Sequence, residues 1–349
     1  MQRFTSFFKE YKGISIGIVS LLLALCFVAY PSFAEAVYRK GLFQAVRVVM
    51  DFTITLLPFP LFILLLLLLP VIIFFYFKKN YSRKRHIIIL PLNALGWVLA
   101  LFLLLWGYNY TCPDALPAHY NQTPTTEDLY AFGLKVAKTA NTAREQCTDV
   151  NTMIDNDVIR TAVEAFAQQH GFPTIGKVKC KEVGMGGVMR RLGVAGIYFP
   201  FTGESYCDAT FPPLVKMFIK AHEMSHGYGV TDEGEADYFA YKALRYHTGE
   251  PVLSYVAELE LLRSIRSKLY FSNDSLRQVL DSSLNHKVLE DLRVIRENAL
   301  QYQEFFPGAQ IAMNDNYLKL MGVEQGVKSY ERFVEYIWHE SKISAWNPQ

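Results

Sequence analysis

Three long apolar runs in the first third of the chain constrain its fold more than any other feature. Ile14 to Tyr30 is almost wholly apolar, Phe52 to Phe77 holds an unbroken leucine block from Leu64 to Leu69, and Ile87 to Trp106 is the third. Each is long enough, or nearly so, to cross a hydrocarbon core of roughly 30 Å. A cleaved signal peptide explains one such run but not three, and buried helices of soluble proteins seldom follow one another as three successive spans. The runs predict transmembrane helices at about 14–33, 54–77 and 87–107, within a membrane domain covering 1–107. Pro58 and Pro60 sit early in the second run, where they can bend or delay it.

Basic residues give the orientation. Arg3, Lys9 and Lys12 precede the first run, and Lys78, Lys79, Arg83, Lys84 and Arg85 separate the second from the third. The loop between the first two carries only Arg39, Lys40 and Arg47, and no Lys or Arg follows the third run until Lys135. Eight against three puts the N-terminus in the cytoplasm and, after three crossings, the remainder outside. The segment Glu35 to Asp51 is itself amphipathic: Val37, Leu42, Val46, Val49 and Met50 lie near one side, and Arg39, Lys40 and Arg47 interrupt the rest. That pattern suits a helix lying in the membrane interface. With a formal net charge of +2 and 19% charged residues, the chain presents no case for nucleic acid, and the lipid bilayer is its expected partner.

Residues 108–124, rich in Pro, Thr and Asn, read as a tether, and 125–349 as one extracytoplasmic domain. Thr125 with Asp128 can cap a helix running to about Gln146, and Asp157 to Gln169 reads as a second, ended by Gly171 and Pro173. Lys177 to Val183 alternates with period two, as a half-buried strand does; Val194–Pro200 and Ser205–Thr210 are further short strands. From Pro212 onward the pattern is helical, so the fold class is α+β, a small sheet followed by a mostly helical C-terminal half.

The chemistry lies in Ala221-His-Glu-Met-Ser-His-Gly227 and in Glu233-Gly-Glu-Ala-Asp237, which follows it closely. On a helix, His222 and His226 fall on one face a turn apart, where both imidazoles can hold the same Zn²⁺. Glu223 between them can face a water at the open position that a catalytic site keeps. A catalytic zinc usually takes a third protein ligand. Glu233 is the first choice, because it opens the next helix and shares a face with Asp237, which can accept the N–H of a ligand histidine. Asp232 is the rival, completing the spacing His-Glu-x-x-His-x-x-Gly-x-x-Asp with Gly229 at the turn. Glu235 is third and faces away from a site served by Glu233 and Asp237. The plain alternative is a solvated helix N-terminus whose carboxylates complement the helix dipole.

Cys26 lies within the first apolar run, whereas Cys112, Cys147, Cys180 and Cys207 are all downstream. Four thiols allow one or two disulfides or free core residues, and no C-x-x-C spacing points to a cysteine zinc site. Gly184-Met-Gly-Gly187 is either a mobile rim of a cleft or a turn; it lacks the ending of a phosphate loop.

The chain resembles the bacterial "domain of unknown function 3810" family, membrane proteins with an outer zinc-peptidase-like domain. The resemblance rests on Trp106-Gly-Tyr-Asn-Tyr110, Gly196-Ile-Tyr-Phe-Pro-Phe-Thr-Gly-Glu204, His222-Glu-Met-Ser-His226, Glu233-Gly-Glu-Ala-Asp-Tyr-Phe239 and Tyr317-Leu-Lys319. The family pattern commonly has Asn at the place of Asp237 and keeps Glu at the place of Glu233, which favours Glu233 over Asp232 as third ligand. The resemblance implies architecture more than substrate.

Together these features predict a membrane-anchored, zinc-dependent metallopeptidase of the zincin type, with His222, His226 and Glu233 on Zn²⁺ and Glu223 as general base. Its expected substrate is a peptide or protein of the cell envelope, held by β-augmentation against Val194–Pro200 or Ser205–Thr210. An oxyanion donor is expected from the helical C-terminal region, with Tyr241, His247, His286 and Tyr317 as candidates. The competing reading is a non-catalytic receptor or envelope assembly factor with structural zinc, a site that has no use for a carboxylate at position 223. An intramembrane protease is disfavoured, because the motif stands far from the apolar runs in a region of ordinary polarity.

Overall fold

Helices make up most of the described chain, residues 11–80, 84–116 and 122–343 of a computed structural model, and the sheet among them has three strands. Arg3, Lys9, Arg83, part of the tether and the last six residues lie outside the described residues. The chain forms two units. One comprises residues 1–113 with 175–177 and 199–204, the other 114–174, 178–198 and 205–349.

In the first unit, α1 (Lys12–Ala29) and a later helix, Lys84–Leu105, meet through small residues. A Cβ added to Gly17 would stand 2.9 Å from the Cα of Gly96, and one on Gly13 would stand 2.0 Å from the Asn93 carbonyl oxygen. The Ile14 amide donates to Asn93 Oδ1 at 3.1 Å. Glycine, with no Cβ, lets two backbones approach this closely. Two helical stretches, Lys12–Ala29 and Ile88–Leu105, are long and apolar enough to cross a membrane. The first ends sooner than the expected 33, because Tyr30 precedes Pro31 and leaves helical geometry (φ −132°, ψ 70°).

The middle run departs from the expected straight span. Its helix, Leu61–Asn80, starts after Pro58 and Pro60 and not near residue 54, with Leu57 already extended (ψ 138°). Pro31–Leu56 and Leu61–Phe75 form a pair bent by 89°, and a third apolar crossing exists only if that pair is taken as one.

Glu35–Asp51 is helical, with a π-helical stretch Glu35–Leu42 running into α2 (Phe43–Asp51), but two of its three basic residues turn inward. Arg39 and Arg47 are buried, while Val37, Leu42 and Val49 face outward. Arg39 donates to the carbonyls of Pro113 (2.9 Å) and Asn109 (3.2 Å). Arg47 pairs with Asp51 and donates to the Gly203 carbonyl at 2.5 Å, and Asp51 also accepts the Lys177 amide at 2.8 Å. Buried charge persists only where such partners replace water. The two guanidiniums are therefore internal braces, packed inside with Tyr38, Phe43 and Met50.

In the second unit, Thr125 and Asp128 form a reciprocal capping box at the start of Thr126–Gln146, and Asp155 caps Asn156–Gln169. The strands β1 (Cys180–Val183), β2 (Gly196–Phe199) and β3 (Glu204–Asp208) follow, in the order β1-β3-β2. The first is shorter than the Lys177–Val183 pattern suggested. β1 and β3 pair in parallel, Cys180 opposite Ser205. All of β3 is buried in the middle, so of the two candidate edges only the β2 segment is one. The remainder to Ile343 is helical. All five cysteines are free, and Cys112, Cys147, Cys180 and Cys207 are buried.

Candidate metal centre

The helix Pro213–Gly227 carries the two histidines. Pro213 sits at its first turn, where a missing N–H costs nothing, and an apolar run buries the helix nearly all round. The Ser205 hydroxyl donates to the Glu223 carbonyl at 2.7 Å, tying this helix to β3. The chain then turns at Gly229 (φ +100°), a backbone state that favours glycine. Asp232 caps the next helix, Glu233–Tyr246, by accepting the Glu235 amide at 2.9 Å. That cap brings Glu233, the first helical residue, back to the histidines.

Three ligand-type atoms converge there. His222 Nε2 and His226 Nε2 are 3.0 Å apart, and Glu233 Oε2 is 3.2 Å from each. His226 Nδ1 faces the Val230 carbonyl at 2.8 Å. A carbonyl only accepts, so Nδ1 carries the proton and Nε2 offers a lone pair. His222 Nδ1 faces Asp237 Oδ1 at 2.7 Å, which fixes the same tautomer. Two lone pairs and a carboxylate thus point at one spot with no proton among them in the neutral tautomers. His222, His226 and Glu233 would hold a divalent cation there through these three atoms, a donor set that suits zinc. Among the described residues, His222, His226 and Glu233 are the group of this kind.

The electrostatics of the site agree. Burial alone would lower His222 and His226, but Asp237 and Glu233 outweigh it at His222, and Glu233 does so at His226, so both lie above the usual imidazole value. Burial would raise Glu233, but His226 and His222 hold it well below the usual carboxylate range. The site as built calls for positive charge. Glu223 differs. Burial pushes it up to about 7 although both histidines pull it down, and its Oε2 is buried without a hydrogen-bond partner among the described residues.

The remaining acids have other occupations. Asp232, besides its capping bond, accepts Arg332 Nη1 at 3.3 Å, and burial raises it to about 6. Glu235 accepts the amides of Ala115 and Leu116 at 3.1 and 2.9 Å, and burial with Asp232 and Asp114 raises it to about 8. Neither reaches the three-atom cluster.

A cleft of 530 Å³ opens over His222, Glu223 and Asp237, walled by Val194, Phe211 and Ile219 among others. Gly196 of β2 lies against Glu223: a Cβ there would stand 2.6 Å from Glu223 Oε1. Gly184–Gly187 does not line this cleft; it is a turn, with Gly187 (φ +79°) against the Tyr302 ring.

None of Tyr241, His247, His286 and Tyr317 lines the cleft. Tyr241 is buried and donates to Glu258 at 3.2 Å, and His247 ends its helix beside Phe166. The residue present instead is Tyr330, which sequence reasoning passed over. Its ring lies 7° from parallel to that of His222, centroids 6.4 Å apart. It keeps 38% of its surface exposed while burial and then Glu233 push its hydroxyl pKa up. A 3₁₀ turn, Gly326–Glu331, positions it. The only local hint was Gly234, where an added Cβ would stand 2.4 Å from the Ser329 carbonyl. Gly234→Ala should therefore destabilise the protein by about 1–3 kcal/mol through overpacking. At an ordinary helical position the same change stabilises. A lowered thermal midpoint checks this, and a raised one contradicts the close contact.

Comparison with curated proteins and with solved structures finds no match. Residues 38–338, which include His222, His226, Glu233 and the cleft, match the profile of the family described as "Protein of unknown function (DUF3810)", and the chain belongs to that family.

Proposed function

We propose that the protein is a membrane-anchored, zinc-dependent metallopeptidase with a zincin-like domain outside the cytoplasmic membrane. The observation that carries this reading is the convergence of His222 Nε2, His226 Nε2 and Glu233 Oε2 beside a buried carboxylate, Glu223, that takes no part in the cluster. A purely structural site gains nothing from that carboxylate, whose burial costs stability. When bound, zinc would supply Lewis-acid polarisation of the scissile carbonyl and acidify water. Glu223 takes the proton of the attacking water and passes it to the leaving amine. Asp237 and the Val230 carbonyl hold the two imidazoles in the required tautomer. The edge strand β2 beside Glu223 supports an extended peptide as substrate. Comparative N-terminal profiling of membrane fractions tests the reading. Cells with the wild-type chain should yield N termini that are missing with Glu223→Gln, and identical profiles overturn it.

The same proposal takes three crossings, the bent middle pair counting as one, with the N-terminus inside. The eight-to-three basic asymmetry supports this, and burial of Arg39 and Arg47 gives two of the three outer cations a structural use. A C-terminal alkaline phosphatase fusion should be active. An inactive phosphatase in a well-expressed fusion would invert the topology.

A further inference from the structure

The expected reaction turns a planar carbonyl into a tetrahedral centre whose oxygen becomes anionic, and such a charge needs a donor waiting for it. We propose that Tyr330 is that donor, a catalytic residue whose O–H hydrogen-bonds the oxyanion, set in place by Asn314. The inference rests on the metallopeptidase reading and adds a group to it.

The hydrogen-bond arrangement carries it. Asn314 Nδ2 donates to the Tyr330 hydroxyl at 3.3 Å. The phenol oxygen therefore accepts, and its own proton is left to donate elsewhere. No acceptor for that proton occurs among the described residues, and both side chains line the cleft that holds His222, Glu223 and Asp237. The Tyr330 ring lies 7° from parallel to that of His222, with centroids 6.4 Å apart, beside the histidine that faces the cleft.

Its backbone is fixed against the ligand helix. The Ser329 carbonyl sits over Gly234, next to Glu233, and Asp315 Oδ1 accepts the Val327 amide at 3.1 Å, holding the turn from its other end. In the step itself, the water oxygen bonds to the carbonyl carbon and the π pair moves onto the carbonyl oxygen. The water proton goes to Glu223, and Tyr330 keeps its proton while hydrogen-bonding the new charge. When the C–N bond breaks, the pair returns to C=O and the proton leaves Glu223 for the amine.

The test uses the full chain in detergent with Co²⁺ at the site, read by its visible absorption, and inorganic phosphate as a tetrahedral oxyanion. Imidazole, a neutral metal ligand, is the control. Tyr330→Phe should weaken phosphate roughly tenfold to a hundredfold, as expected for a lost bond to a charged group, with the cobalt band and imidazole affinity unchanged. Asn314→Asp should mimic it, since a carboxylate would accept the phenol's hydrogen bond and turn its O–H away from the oxyanion. Equal phosphate affinity in wild type and Tyr330→Phe, with the band intact, overturns the role of Tyr330 and leaves the metal centre standing. Absence of any cobalt band in the wild type removes the metal centre, and the inference falls with it.

Discussion

Purified protein is expected to carry about one zinc per chain, and His222→Ala or His226→Ala should reduce it to background. Each substitution removes one of three atoms separated by 3.0–3.2 Å and leaves a buried carboxylate facing an incomplete set. Glu233→Ala should weaken retention as strongly. Asp232→Ala should act on stability and not on metal, because Asp232 caps a helix and accepts Arg332. Loss of an N-cap costs about 1 kcal/mol. Asp237→Ala should fall between, lowering affinity roughly tenfold to a hundredfold by freeing the His222 ring. Metal analysis after dialysis against a weak chelator decides the matter. Zinc unchanged in both histidine variants removes the site. Zinc lost with Asp232→Ala but kept with Glu233→Ala makes the Gly229 spacing the true ligand pattern.

Much of this centre was legible because it is local. The four-residue spacing of the histidines, the Gly229 turn and the Asp232 cap are all set by neighbours in the chain, and together they deliver Glu233 to the histidines and Asp237 to His222. Tyr330 was not legible. It comes from a short turn far downstream, held by contacts with Gly234, Asp315 and Asn314 that no periodicity announces. The apolar helices show the same division. Apolar length marked its helices, but the delay to Leu61 depended on two prolines and an extended Leu57. The side that Arg39 and Arg47 face was set by partners distant in sequence, Pro113, Asn109 and Gly203. Amphipathic pattern assumes that charge seeks water; it fails where folded backbone supplies carbonyls instead. The short strands show a third limit. Alternation suggested seven residues in the first, but pairing with β3 sustains four.

Glu223→Gln is expected to keep zinc and fold while lowering turnover by roughly 10²-fold or more, the usual loss for a general base. The amide keeps the shape of the carboxylate but cannot accept the proton of water. The buried position of Glu223 sharpens the prediction. Burial raises its pKa to about 7, close to where a base both exists deprotonated and retains driving force for proton transfer. Activity should therefore fall as pH drops through that value, because the protonated acid cannot serve as base. A bound dication beside it shifts this limb to lower pH, never higher. Stability should respond in the opposite sense to the usual surface carboxylate. Replacing a buried carboxylate, one oxygen of which has no hydrogen-bond partner among the described residues, with a neutral amide removes a desolvation cost, so Glu223→Gln should melt no lower than wild type at pH 8. A peptide-library digest with the zinc-loaded protein, alongside the variant and a chelated sample, measures the first effect, and thermal denaturation the second. Cleavage that persists equally in Glu223→Gln would sink the mechanism. A variant that loses zinc as well would make Glu223 part of the metal cluster, which its placement outside the three converging atoms argues against.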